Sequence, residues 1–164
     1  MSTAVIAEPK DLPLRNGPRP RVYPGPPQHQ LDQLPTEEEW RETRHMFNAW
    51  QTADQGVSRR AAPGTLGLFI RESDNKVFSA EAFLLGNEFA HHHPKEDGGL
   101  HLVLPPAWHA AAVKKGWAVP HTLAGQPTVS RLTLLIFAPR DAGERDIVRR
   151  LLEVSESFAR GVEL

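Results

Sequence analysis

Residues able to do chemistry concentrate in one stretch of this chain, Glu88-Phe89-Ala90-His91-His92-His93-Pro94, followed after a short turn by Leu100-His101-Leu102-Val103-Leu104. The pattern reads as a β-hairpin. Alternate side chains of a strand share a face, so Phe89, His91 and His93 lie together while Ala90 and His92 point the other way. On the second strand Leu100, Leu102 and Leu104 are the core-facing set, which leaves His101 on the opposite face. With the turn Lys95-Glu96-Asp97-Gly98-Gly99 centred near Asp97, His93 sits opposite His101. Three imidazoles, His91, His93 and His101, then gather on one patch of sheet.

Three readings of that patch stay open. Neutral imidazole is the commonest metal ligand, so His91, His93 and His101 are candidate ligands, with His121 or a carboxylate such as Glu81 or Glu88 completing the set. Two histidines and a carboxylate suit non-haem iron, whereas three histidines suit zinc. Without a metal, one imidazole serves as base and a neighbour as acid. Alternatively the rings cap the hairpin by bonding to backbone and to Glu96 and Asp97. The residues name no cofactor. His92 belongs in a core slot, and His29, His45 and His109 read as surface residues.

Other candidates are single residues. Arg140, at the start of a predicted helix, lies beside backbone donors suited to an anion. Trp117 is a candidate pocket wall, or else packs on Gly116. Arg59-Arg60 reads as a solvated pair. Ser58, Ser73, Ser79, Ser130, Ser155 and Ser157 lie in no Gly-x-Ser-x-Gly elbow. There is no phosphate-binding glycine motif and no dinucleotide fingerprint.

The elements that must hold these residues follow from pattern. Residues 1–35 contain eight of the fifteen prolines and read as an extended arm, with Leu12, Leu14, Val22 and Tyr23 available to lie on the domain. Thr36 with Glu39 has the form of a capping box for a helix over 37–53 that carries Trp40, Met46, Phe47 and Trp50. Gly56 to Gly64 is a predicted loop. Leu66 to Ile70 is a strand, Ser73-Asp74-Asn75 a turn, and Val77 to Leu85 a second strand. With the histidine hairpin these make an antiparallel meander. Pro105-Pro106 opens a helix that closes at Gly116. Leu132 to Phe137 is a fifth strand, apolar on both faces and so central or covered. Asp141 with Glu144 starts a last helix striped with Ile147, Val148, Leu151, Leu152 and Phe158. The expected class is α+β, an antiparallel sheet of about five strands with helices packed on one face. The expected organisation is the 1–35 arm and a single domain over 36–164.

The 164 residues suffice for one domain with a proper core. Nineteen basic against twenty acidic residues imply no polyelectrolyte partner, so no nucleic-acid partner is expected. The lack of cysteine excludes disulfides, thiolate nucleophiles and cysteine-based metal sites. No apolar run approaches the roughly 20 residues of a membrane span. The N-terminus shows no signal peptide, and the cytoplasm is the expected compartment.

Four segments, Gly86 to Pro94, Asp97 to Pro105, Gly116-Trp117-Ala118-Val119-Pro120-His121 and Ala138-Pro139-Arg140-Asp141, resemble the luciferase-domain family, some bacterial members of which carry the label phospholipase. The lead-in Gly17-Pro18-Arg19-Pro20 is similar too. Two positions depart from the pattern: His92 stands where an aliphatic residue is common, and Thr122 where proline is usual. A luciferase likeness implies oxygen-dependent oxidation of a small molecule. The resulting expectation is a small-molecule pocket on the face carrying His91, His93 and His101, with His121 and Trp117 at its rim. His91 or His93 would be the base, and Arg140 would hold an anionic group. The alternative is a non-enzymatic ligand-binding or interaction module with structural hairpin histidines. Oligomeric state is not encoded in any pattern here.

Overall fold

The computed structural model describes residues 5–71, 79–162 and 164. The arm runs through a 3-10 turn at Pro9–Asp11 and a short ribbon of β1 (Val22–Tyr23) with β2 (His29–Gln30). Then come α1 (Glu37–Asn48), β3 (Asp54–Val57), β4 (Leu66–Phe69), a 3-10 turn at Ala80–Ala82, β5 (Glu88–His92) and β6 (Leu100–Val103). The chain ends with α2 (Pro106–Lys114), β7 (Ala118–Pro120), β8 (Thr133–Ile136) and α3 (Ala142–Ala159). The six strands β3 to β8 form one antiparallel sheet in the order β3-β4-β5-β6-β8-β7. The class is α+β, as expected.

Local chemistry explains the helices. Thr36 Oγ1 accepts the Glu39 N–H at 3.1 Å, and Asp141 Oδ1 accepts that of Glu144 at 2.8 Å, so two starts carry side-chain caps. Pro106 opens α2, where a missing N–H costs nothing. Gly116, at φ +85°, closes it, and the Trp117 N–H returns to the Ala112 carbonyl at 2.9 Å. α1 and α3 pack together and on one face of the sheet. Phe47, Leu102, Ile136 and Leu151 are fully buried between them. β5, β6 and β8 are buried on both faces, as central strands should be.

Several expectations require correction. The first helix ends at Asn48 rather than 53, because the Gln55 side chain takes the carbonyls of Trp50 and Ala53 and the Trp50 indole N–H reaches Glu156 at 2.9 Å. The predicted loop from Gly56 overlaps β3, an edge strand exposed along most of its length and therefore without hydrophobic alternation. Of the predicted strand Val77 to Leu85, the described part is a 3-10 turn followed by an isolated bridge between Leu85 and Glu88. Val77, Phe78 and the turn Ser73-Asp74-Asn75 lie outside the described residues. β7 falls where a loop was expected at Pro120.

Residues 5–35 are held to the rest of the chain by single backbone and side-chain bonds rather than by a ladder. Leu12 is buried in the core, while Leu14 and Tyr23 are exposed. The Arg15 N–H binds the Lys115 carbonyl at 2.9 Å, and Gln30 Oε1 accepts the Ala138 N–H at 2.9 Å. Among the described residues, no helix is long and apolar enough to cross a membrane.

Candidate functional site

The histidines sit where central strands meet. His91 on β5 pairs directly with His101 on β6, flanked by Gly67 on β4 and Leu135 on β8. The expected partner of His101 was His93, so the true register differs by two residues. The reason is the turn: the Gly98 N–H closes on the Pro94 carbonyl at 2.9 Å, and the His93 N–H binds Gly99 instead. A shift of two preserves the face, which is why the cluster survives. Gly98 holds φ +66°, and a Cβ there would stand 2.6 Å from Pro35, so the turn and the end of the arm require this glycine.

All three rings are more than nine-tenths buried. His91 Nε2 and His93 Nε2 each lie 3.0 Å from His101 Nδ1. Their far sides are held from outside the cluster. His91 Nδ1 donates to Glu88 Oε1 at 3.0 Å, His93 Nδ1 to the Asp97 carboxylate at 2.9 Å, and His101 Nε2 to Gln28 Oε1 at 3.1 Å.

Glu88 reaches this face through a β-bulge. Leu68 pairs with Ala90, but Phe69 pairs with Glu88, so Phe89 is an extra residue. Strict alternation puts Phe89 with His91; the bulge turns Phe89 into the core and Glu88 toward His91. The carboxylate also accepts the Ser58 hydroxyl at 2.6 Å and the Arg59 N–H at 3.2 Å. Burial by itself would raise the Glu88 carboxyl pKa; the hydrogen bonds from His91 and Ser58 outweigh it, and the net shift is downward. Burial lowers the His91 pKa against the pull of Glu88. His101 is driven well below the usual imidazole value by burial and by the neighbouring histidines His93, His91 and His121. Burial thus favours the neutral form of His91 and His101.

Above them opens a cavity of about 680 Å³, within the range of small-molecule sites. The imidazoles of His91, His93, His101 and His121 belong to its polar lining, together with Gln28 and Asp97. Pro24, Pro26 and Pro27 of the arm and Leu84, Leu123 and Val129 supply apolar wall. His121 stands edge-on to His101, with ring centres 4.9 Å apart, and its Nδ1 accepts the Leu123 N–H. His29, read as a surface residue, also lines the cavity.

Two expected substrate-binding residues are elsewhere. Trp117 is buried in the core and donates its indole N–H to the Pro13 carbonyl at 2.6 Å. Arg140 binds Glu144 and the Asn16 carbonyl, tying the arm to α3. Neither lines the cavity. Arg60 does, with its guanidinium on the Thr128 carbonyl. Glu81, raised as a possible ligand, is exposed and paired with Arg131. Sequence reasoning missed Ser58 and Gln28. Neither has a local signature, since Gln28 lies 73 positions from His101.

A family model described as luciferase domain matches residues 86–155. A protein named luciferase from Neonothopanus nambi is 28% identical over 170 aligned residues, covering 90% of this chain. Residues 86–155 are similar to the luciferase-domain family. The chain spans 61% of the length of that relative. No solved structure matches. The luciferase-domain segment contains Glu88, His91, His93, Asp97, His101 and His121, whereas Ser58, Gln28 and the arm's prolines lie before it.

Proposed function

We propose that this luciferase-domain protein binds a small organic molecule in the 680 Å³ cavity and transforms it by proton abstraction coupled to oxidation. The observation that carries this reading is the pair of carboxylate-braced imidazoles, His91 with Glu88 and His93 with Asp97, at the base of an apolar cavity. A carboxylate behind an imidazole fixes its tautomer and stabilises the cation that forms when it accepts a proton. His93 or His91 is the base, and the substrate carries an acidic O–H or C–H. Its proton passes to the imidazole. The electron pair left on the substrate carbon forms a C–O bond to dioxygen, the oxidant that the luciferase likeness implies, and the distal oxygen takes the proton back from the imidazole to give a hydroperoxide. The proline-rich wall suits a flat, largely apolar molecule. Arg60 at the cavity takes the anion-holding part first given to Arg140. In this reading the protein works in the cytoplasm, with 36–164 as one domain behind the 1–35 arm.

The test is a panel of small phenols, enols and catechols under air. Binding is followed by NMR of the imidazole nitrogens, and turnover by oxygen consumption and light emission. A bound compound that perturbs His101 and His121 is expected. Turnover should fall by about 10²–10⁴-fold in His93→Ala, with the melting temperature near that of wild type. Binding without turnover for any compound would favour the non-enzymatic ligand-binding module. No binding at all would end the cavity reading.

A further inference from the structure

We infer that His91 Nε2, His93 Nε2 and His101 Nδ1 form a three-nitrogen site for a divalent transition-metal ion at the base of the cavity. This rests on reading the cavity as a functional site; a bound ion takes the Nε2 lone pairs that the metal-free protein keeps for the base.

A neutral imidazole has one N–H and one lone pair. Glu88, Asp97 and the oxygen of Gln28 can only accept, so each outer ring nitrogen carries the proton. The Gln28 amide cannot be read the other way round, because its nitrogen donates to the Pro120 carbonyl at 3.1 Å. The three inner nitrogens are therefore bare lone pairs. They lie within 4.8 Å of one another, and two of the three separations are 3.0 Å. Bare lone pairs at that distance repel, and in a buried site no water shell relieves them. A single proton on His101 Nδ1 would satisfy one contact and leave the other ring bent away from it. One cation between the rings satisfies all three at once.

Geometry agrees. With metal–nitrogen bonds of about 2.0–2.1 Å, two ligands at right angles stand about 2.9 Å apart and two at the tetrahedral angle about 3.4 Å apart. The two 3.0 Å separations from His101 Nδ1 fit the closer arrangement, and the third pair, which lies within 4.8 Å, must stand no more than about 4.1 Å apart when both nitrogens hold one ion. The outer partners match the arrangement seen behind metal-bound histidines, in which a carboxylate or carbonyl takes the other ring N–H and sets its tautomer. These partners are themselves fixed: Glu88 by Ser58 and the Arg59 N–H, and Asp97 by the Gln30 N–H at 3.2 Å. Three imidazoles without a carboxylate ligand exclude a calcium or magnesium preference and suit zinc, iron, copper, nickel or cobalt. All three rings line the cavity, so a bound ion would keep positions open to a ligand there.

The experiment uses full-length protein prepared without a metal-affinity column, stripped with a chelator and titrated with Co²⁺ alone. One equivalent per chain is expected, with visible absorption bands that Zn²⁺ displaces. Proton NMR of the Co²⁺ form should show three shifted exchangeable signals, one from each outer imidazole N–H. This measurement needs no variant. His101→Ala should abolish stoichiometric binding, and Glu88→Gln should weaken it about 10–100-fold. Failure to take up Co²⁺ stoichiometrically, an absence of shifted imidazole signals, or equal affinity in wild type and His101→Ala would overturn the inference. The two proposals separate cleanly. Organic ligands binding to chelator-treated protein that takes up no metal would sink the metal site and leave the cavity reading standing. Stoichiometric Co²⁺ on three imidazoles with no organic ligand in the panel would uphold the metal site and remove the cavity reading.

Discussion

His92 and its neighbours His91 and His93 lie on opposite faces of one strand, and their rings are used in opposite senses. On the core face, His92 sits between Trp40 and Phe47, with ring centres 5.8 and 5.4 Å away. Its Nδ1 accepts the Arg44 Nε–H at 3.0 Å, so the protein occupies the lone pair. On the cavity face, protein acceptors occupy the N–H of His91, His93 and His101, and the lone pairs are left over. A histidine whose lone pair is occupied by a partly buried arginine is structural. A histidine whose proton is occupied by an acceptor keeps its chemistry for something else. The difference lies in which half of the imidazole the surroundings consume.

Four substitutions can break or sharpen this contrast. The largest effect is expected on the core side. Phe47→Ala removes a fully buried ring against His92 and should cost about 3–5 kcal/mol in denaturant unfolding. Cavity ligands should bind the folded fraction as before; a matching loss of affinity would mean that the two faces are not separable. Arg44→Ala is next. It takes the donor from His92 and frees the carbonyls of Gly64, His92 and His93, for an expected loss of about 1.5–3 kcal/mol. An unchanged unfolding midpoint would refute the structural role of His92. Ser58→Ala acts on the other face. Stability should drop by only about 0.5–1.5 kcal/mol, while the carboxyl pKa of Glu88 rises and turnover falls. Full activity in this variant would show that Glu88 needs no second donor. The smallest change is Arg71→Ala, which breaks an exposed pair with Asp54 on the edge strand. It should shift stability by less than about 1 kcal/mol and leave both faces untouched. A larger shift would place the β3 edge within the cooperative core.

Much of the site's floor was legible because it depends on a period of two. The leucines of β6 name the core side, and His101 follows on the other. Glu88 was not legible in its true role, because one bulge at Phe89 moves it to the face that strict alternation denies it. The register missed by two residues for a related reason. The turn closes from Gly98 to Pro94, a choice set by its own hydrogen bonds and by Pro35 of the arm packed on Gly98. Trp117 and Arg140 were drawn toward the site by their types. In the fold, the indole goes to Pro13 and the guanidinium to Glu144 and Asn16. β3 carries no alternation to read, since an exposed edge strand has little to bury.

The letters alone determined the helix caps at Thr36 and Asp141, the proline start and glycine end of α2, and the face shared by His91, His93 and His101. All of these are fixed within a few residues by backbone stereochemistry. Only the tertiary structure decided where each imidazole proton lies. That depends on acceptors arriving from elsewhere: Gln28 from the arm, Glu88 across a bulge and Asp97 from a turn. A strand sets the direction of a side chain by itself, but the partner of a ring nitrogen is set by whatever distant chain folds against it.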